Sequence, residues 1–422
     1  MSDLITVNSK NVVPRLVLGI IILSIVLLGW FSIRWQIGNL LATITTSTDP
    51  NSTDIATAAA GLAPGDPAAG LLVAATTNDP AEAIKHYEDA IRLAPNDYRW
   101  RVELARIYAQ NDMSERAEAE FGRAVELAPN YASPRWHRGN FFLRQGRGDE
   151  AVAELKKAAA HNQAYRDQVF SLAWDYFQKE PARLEEMVVE PAARAHLAYF
   201  LAARGAAEAA LRTWNSLSSD EKHRYNYRAI LIADGLYGQR HFAEALGFAK
   251  QLGMAADVEP ERITNPSFES TLGNAEASRF AWQVYRTESK VEITPDGKVQ
   301  HDGSRSLRVS FRGFSKPVLA NVFQTVVVQP DMKYRMSFWL KTDGLKSTGM
   351  PAIEVLNGVD ERSIVISEPF SAGTAEWQKI SLEFTTPPGC DGIIIRTIRL
   401  NCGEDCPITG TFWYDDFELA KL

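Results

Sequence analysis

An eleven-residue pattern recurs 34 positions apart: HYEDAIRLAPN at 86–96 superimposes on EFGRAVELAPN at 120–130. A period of that length marks a supersecondary unit copied along the chain, each copy too small to bury its apolar face alone, and it confines this stretch to a stacked array. A third copy keeps the phase. Ala83, Ala117 and Ala151 align, as do Tyr87, Phe121 and Leu155, then Ala90, Ala124 and Ala158, and Pro95 with Pro129. Small residues at two of these positions let paired helices approach, the bulky residue fills the gap between them, and proline ends the second helix. Asp66-Pro67 and Asp79-Pro80 supply N-cap and first-turn signals for the two helices of the opening unit.

With Leu104, Ala105 and Tyr108 in the second unit and Gly139 and Phe142 in the third, the pattern resembles the tetratricopeptide repeat. Leu197, Ala198, Leu201, Ala210 and Trp214 keep the same internal spacing, and Ile232, Ala233, Leu236 and Ala245 keep most of it. The count predicts about five helix pairs within an all-α solenoid assigned to 66–257. The resemblance implies a concave groove that binds a protein partner; the competing reading is a spacer that carries the C-terminal domain. Arg99, Arg101, Arg106, Arg135 and Arg138 recur near the first helices of units two and three. They fit either a site for an acidic partner tail or a solvated face paired with carboxylates such as Glu103.

Upstream, LVLGIIILSIVLLGWFSI at 16–33 runs without a charge and is long enough as a helix to span a bilayer. Lys10 and Arg15 precede it, and Trp30 and Trp35 stand where an interfacial aromatic belt would lie. These features predict a single uncleaved transmembrane anchor over 12–34, with a cytoplasmic N-terminus over 1–11. The rest of the chain is then periplasmic or otherwise extracytoplasmic, carried on the inner membrane. A cleaved signal peptide is the alternative, against which stand the length of the run and the lack of a small-x-small cleavage site. The Thr- and Ser-rich stretch at 43–53 and Pro64-Gly65 make 35–65 a polar tether.

Near residue 258 the texture changes to short alternating runs broken by Gly, Pro and Asp, an all-β domain over 258–422. Strands are predicted at 306–311, 321–328, 334–342, 352–356, 377–386, 393–400 and 411–419, with a start strand near 265–269, which suits a two-sheet jelly roll. The opening Asn-Pro-x-Phe-Glu at 265–269 and the closing Tyr-Asp-Asp-Phe at 414–417 resemble the carbohydrate-binding module of the family 4/9, galactose-binding-like type. That resemblance implies a structural calcium where the first and last strands meet, held by Glu269 and Asp415 and by loop carbonyls near 302–304. Asp415 and Asp416 read equally as polar residues of an edge strand.

Alternation along 334–341 separates an inward set, Tyr334, Met336, Phe338 and Leu340, from an outward set that includes Trp339 and Lys341. Gln324, Glu354 and Arg399 are assigned to the same outer face, and together the five make a candidate sugar site, an aromatic platform ringed by polar groups. Trp282, Trp377 and Trp413 are assigned to the core. Cys402 and Cys406 bracket a tight turn and form the candidate disulfide, with Cys390 too far along the strand to pair easily.

The charge balance, 45 basic against 52 acidic residues and net −7, gives no basic excess to hold a phosphate backbone, so nucleic acid is not an expected partner. No GxSxG, HExxH, Walker A or GxGxxG pattern occurs, and the seven histidines are scattered. The expected class is therefore a non-enzymatic, envelope-facing scaffold that binds a protein through its repeats and a polysaccharide through its jelly roll, in exopolysaccharide assembly or export. The alternatives are a structural adaptor without glycan binding, or a glycan-active enzyme using Glu354 with Asp416 or Glu418.

Overall fold

A computed structural model describes residues 12–422 except 271, 273–277, 285–289, 317, 320 and 321. The cytoplasmic N-terminus expected over 1–11 lies outside the described residues. The chain forms two compact units, Met1–Val189 and Glu190–Leu422.

The first unit is helical. Its helices are α1 (Val12–Ile44), α2 (Ser52–Leu62), α3 (Pro67–Thr76), α4 (Pro80–Leu93), α5 (Tyr98–Gln110), α6 (Ser114–Leu127), α7 (Ala132–Arg144), α8 (Gly148–His161), α9 (Gln163–Tyr176) and α10 (Pro181–Glu185). Asp66 and Asp79 cap α3 and α4, each accepting a first-turn amide, with proline at N1. The repeat positions are buried as their spacing requires: Ala117, Phe121 and Ala124 on α6, and Ala151, Leu155 and Ala158 on α8, are closed to solvent. Gly139 is the small partner that lets α7 meet α8, since a Cβ there would stand 2.7 Å from the Leu155 side chain.

The stretch expected to be a tether is instead folded. α1 runs on to Ile44, and α2 packs beside its last turns. Gly38 explains how: a Cβ at this position would lie 2.7 Å from Ala63 Cβ and 2.8 Å from the Ala59 carbonyl oxygen, so the two backbones touch where alanines and a glycine leave room. Arg34 donates to the Gly61 carbonyl at 2.9 Å, and Asn39 donates to Asp66 at 3.0 Å, tying α1 to the cap of α3. Ala42, Ala56, Ala59, Ala69 and Leu72 form the small core beneath. Small-residue packing of this kind carries no long apolar stripe, so a composition reading sees only polar threonines and alanines. Gly38→Leu is expected to cost about 1–3 kcal/mol through overpacking. The full chain should then melt earlier and be cut faster by protease at 45–51, and unchanged cutting would show that the seam is not closed.

The second unit opens with α11 (Pro191–Ala202), α12 (Ala207–Asn215), α13 (Ser219–Arg224), α14 (Asn226–Gly238) and α15 (Phe242–Gln251). Among the described residues ten strands follow: β1 (Gln283–Val284), β2 (Val291–Asp296), β3 (Ser306–Phe314), β4 (Val322–Val327), β5 (Lys333–Ser347), β6 (Pro351–Asn357), β7 (Ser363–Ile366), β8 (Gly373–Thr385), β9 (Gly392–Arg399) and β10 (Ile408–Lys421). They make two antiparallel sheets, β1-β4-β9-β6-β7 and β2-β3-β10-β5-β8, a jelly-roll sandwich. Tyr334, Met336, Phe338 and Leu340 point into the core as alternation predicts, against Val326, Ile353, Val355, Ile393 and Ile395 of the other sheet.

The expected start strand at 265–269 is a turn. Pro266 lacks an amide hydrogen, Asn265 and Phe268 have positive φ, and the Asn265 side chain closes the turn onto the Ser270 amide and carbonyl. Phe268 drops from this turn into the core beside Trp282 and Phe417. Cys402 and Cys406 are joined in a disulfide, and Cys390 is a buried free thiol whose pKa burial pushes up to about 11.

The last helices are part of this unit rather than a preceding domain. Phe242 seats its ring on a notch in the first sheet, where a Cβ on Gly392 would meet it at 2.5 Å and one on Gly358 at 2.7 Å. The Tyr237 and Thr325 hydroxyls bond at 2.7 Å, and Arg240 donates to the Gly358 carbonyl at 2.5 Å and pairs with Glu361. Asp391 of the sandwich accepts the Ala243 amide at 3.0 Å, supplying the N-terminal cap that α15 lacks from its own sequence.

Candidate carbohydrate and partner sites

The corner where the sandwich begins and ends is built from both motifs. A bulge between Asp415 and Glu418 lets Phe417 turn into the core while Asp415 meets the β2–β3 loop. Asp415 is fully buried and accepts the His301 amide at 2.8 Å and the Asp416 amide at 2.9 Å. Burial pushes its carboxyl pKa up to about 6. Glu269 grips the next residues of the same loop, accepting the Ser304 amide at 2.7 Å, the Arg305 amide at 3.0 Å and the Ser304 hydroxyl, and those bonds hold its pKa below the usual carboxylate range. Ser267 donates to Asp416 at 2.6 Å, and the Phe417 amide bonds the Pro266 carbonyl. Among the described residues no group of three or more His, Cys, Asp or Glu side chains gathers to hold a metal. Two carboxylates that meet at one loop, Glu269 from the opening turn and Asp415 from β10, suit a hard cation only if main-chain carbonyls complete the shell.

The five residues assigned to one sugar-binding face are not brought together. Gln324 points into the sandwich, fully buried, with its amide paired to the main chain of Thr264 at 2.9 and 3.1 Å. Arg399 is buried at the end of β9 and donates to the Gly349 and Lys316 carbonyls and the Ser347 hydroxyl. Both are structural clamps. Glu354 does face outward from the first sheet but is closed off by its cross-strand neighbour Arg396 at 2.8 Å. Trp339 and Lys341 lie on β5 of the second sheet, on the opposite side of the core. The carboxylate pairs considered for a glycosidase are divided in the same way, Glu354 on one sheet and Asp416 and Glu418 on the other.

On the outer face of the second sheet the β2–β3 loop folds over Trp339, and His301 stacks on its ring with centroids 3.8 Å apart and planes 17° apart. Trp377 meets the same imidazole edge-on at 5.8 Å, and Asp416 holds the His301 ring nitrogen at 2.6 Å. Lys341 pairs with Glu376. Trp282 is buried in the core as assigned; Trp413 is buried too but on the outer face of β10, opposite Lys341 and donating to Asp296 at 3.0 Å, and Trp377 is only half-buried and belongs to this outer group. His301 was not legible as a member, since nothing in a hairpin loop's sequence says which way it folds.

In the first unit a cavity of about 600 Å³ is lined by Ala42 of α1, Thr45 just past its end, Leu72 of α3, Tyr98, Arg99, Trp100 and Glu103 of α5 and His137 of α7, among others. Burial and the nearby Arg106 charge hold the His137 pKa below its ordinary value. The arginines read as a possible acidic-tail site are paired: Arg101 with Glu120 at 2.7 Å, Arg135 and Arg138 with Glu154 at 3.0 and 3.5 Å, Arg106 with Glu103 and Arg99 with Asp97. The Arg101–Glu120 bridge recurs as Arg135–Glu154 one repeat on. Each joins the two helices of one repeat, α5 to α6 and α7 to α8, and the Arg106 and Arg99 pairs lie within the first turns of α5 and its cap.

Residues 261–398 match the carbohydrate binding domain of family 4/9, and residues 74–140 match a tetratricopeptide repeat family. Among curated proteins the chain is similar to the tRNA nuclease WapA of Bacillus subtilis strain 168, 26% identical over 156 residues, which is 35% of this chain and 7% of that protein. The chain thus spans a small part of that relative's length. Among solved structures it is similar to a CBM4 module, 14% identical with a TM-score of 0.28 over 38% of this chain and 99% of the module. It is also similar to MamA, 16% identical with a TM-score of 0.28 over 32% of this chain and 79% of that one. The chain therefore carries two recognisable modules behind an N-terminal apolar helix: tetratricopeptide repeats, which point to protein interaction, and a family 4/9 carbohydrate binding domain, which points to carbohydrate binding.

Proposed function

We propose that this chain is a non-enzymatic, membrane-anchored scaffold of the cell envelope that holds a protein partner in its repeats and a polysaccharide on its sandwich during exopolysaccharide assembly or export. The observation that carries the glycan half is the aromatic group of Trp339, His301 and Trp377 on the outer face of the second sheet. Aromatic faces pack on sugar C–H groups, and Asp416 and Lys379 beside them supply hydroxyl partners. The first sheet is the poorer candidate, because α14 and α15 already sit on it. The cavity at the start of the array, lined by Tyr87, Tyr98 and Trp100, supports the partner half. Orientation follows from Lys10 and Arg15 ahead of the apolar helix, which favour the N-terminus inside, and the Cys402–Cys406 bridge suits an oxidising compartment. A calcium held by Glu269 and Asp415 would neutralise a buried carboxylate and fix the loop that carries His301.

The test is retention of purified full-length protein on a glycan array and on exopolysaccharide, with calcium and with chelator. Selective retention is expected, several-fold weaker in Trp339→Ala and Trp377→Ala, with a lower melting temperature in chelator. A wild type that binds no glycan would leave the structural adaptor as the reading. Equal melting temperatures in calcium and chelator would remove the ion.

A further inference from the structure

The cavity among α3, α4, α5 and α7 contains two polar side chains that the fold itself does not use. At the repeat position where Phe121 and Leu155 fill the gap between paired helices and are closed to solvent, α4 carries Tyr87. Tyr87 is only 6% exposed, and its ring packs as theirs do. Its hydroxyl is the surplus: it opens onto the cavity and, among the described residues, has no hydrogen-bond partner. Burial and the Glu103 charge push its pKa up to about 12, so it keeps a proton to donate. His137 of α7 lines the same cavity, half-buried, and its imidazole is likewise without a hydrogen bond among the described residues. A polar group withdrawn from water and left unpaired costs about 1–3 kcal/mol, which a ligand that bonds it removes.

The remaining wall sets the chemistry of such a ligand. Ala68, Leu71, Leu72, Ala75 and Val102 make it aliphatic, and Tyr98 and Trp100 add aromatic surface. Its two charges are already matched, Arg99 by Asp97 at 2.5 Å and Glu103 by Arg106 at 2.7 Å. A carboxylate or an ammonium entering here would lose its water without gaining a free counter-charge. A sugar would strip its ring hydroxyls against the aliphatic wall at a similar cost. From the cavity the aromatic surface continues along the array: Tyr98 lies 5.5 Å from Tyr131 and Trp136 lies 6.0 Å from Tyr165, with Tyr131 and Tyr165 one period of the repeat apart. Tyr131 is 60% exposed. One pocket of about 600 Å³ with a strip of rings leading away from it suits an extended chain that turns one side chain inward.

We propose that this cavity takes a large uncharged side chain, aliphatic or aromatic, from an extended segment of the protein partner, and that Tyr87 and His137 bond the main chain of that segment. The Tyr87 hydroxyl donates to a carbonyl oxygen, and an imidazole nitrogen of His137 accepts an amide N–H. The inference rests on the repeats having a protein partner and specifies what that partner presents.

Random peptides displayed on phage and selected against the full-length protein in detergent test it, with affinities measured on fluorescent synthetic copies of the enriched sequences. The enriched set should share a large apolar residue with uncharged neighbours. Tyr87→Phe, which leaves the ring that packs at Phe121, should weaken these peptides about three- to tenfold, the scale of one hydrogen bond, with no loss of melting temperature. Ala75→Trp, at an exposed position on the cavity wall, should abolish binding by filling the pocket. Enriched peptides that are acidic, or whose affinity ignores both substitutions, would overturn the assignment, as would a neutral polysaccharide whose binding Ala75→Trp removes. A photo-crosslinking benzoylphenylalanine at position 131 separates the two levels in cells. Protein adducts there, with no peptide enriched, would overturn the pocket and leave the partner reading standing; neither adducts nor peptides would overturn both.

Discussion

A fragment of residues 258–422, cut where the helical texture ends, is expected to be less stable than residues 190–422 by at least about 3–5 kcal/mol, the scale of losing one buried phenylalanine. The cut removes more than that. It takes away the Phe242 ring from the Gly358 and Gly392 notch, the Tyr237–Thr325 bond, the Arg240 contacts with Gly358 and Glu361, and the helix end that Asp391 caps. Asp391 is already a strained holding: burial raises its pKa, and the Ala243 amide is the partner that offsets the cost. The shorter fragment should lose a large part of its denaturant midpoint or aggregate through the uncovered notch. Equal midpoints for the two fragments would mean the helices merely lean on the sheet. In the full chain Phe242→Ala should reproduce much of the loss, and any glycan assay on the bare sandwich would report on a damaged protein.

The second large effect is at Gln324. Gln324→Leu keeps the volume of a buried side chain but leaves the Thr264 amide and carbonyl without partners inside the sandwich, each at about 1–3 kcal/mol. Melting should fall accordingly, while the fraction that remains folded should retain glycan as well as wild type does. The opposite pattern, intact melting with lost retention, would return Gln324 to a ligand site and require the opening segment to be held some other way.

Gln324 also shows what a sequence can and cannot disclose. Period-2 alternation correctly states that Val322, Gln324 and Val326 share one face of β4 and that Phe323, Thr325 and Val327 share the other. Both sets are mostly apolar, because one faces the core and the other is partly covered by α14 and α15, so alternation alone does not say which is outside. Every residue of β6 is buried as well, Glu354 beneath its neighbour Arg396, and Glu354 had no more signal than its charge. On β5 the contrast between Tyr334-Met336-Phe338-Leu340 and Arg335-Trp339-Lys341 was sharp, and the assignment there holds. The repeats were legible because close helix packing demands a small or bulky residue at fixed positions every 34 residues. The α1–α2 seam was not, since it rests on the missing side chain of Gly38 and on alanines 59 and 63, which look alike whether packed or loose.

That seam would change the mechanics of the proposed anchor. A disordered stretch from 35 to 65 would let the array roam over roughly 30 Å from its point of attachment. In the proposed anchored form an unbroken α1 clamped at Gly38, Asn39 and Arg34 would act as an axle instead of a rope, and the first repeat would stay at a set height and heading. A partner gliding in the same bilayer would then meet the Tyr98–Trp100 cavity at one fixed level, which turns a search through a volume into a search over a surface and raises the local concentration without any gain in contact.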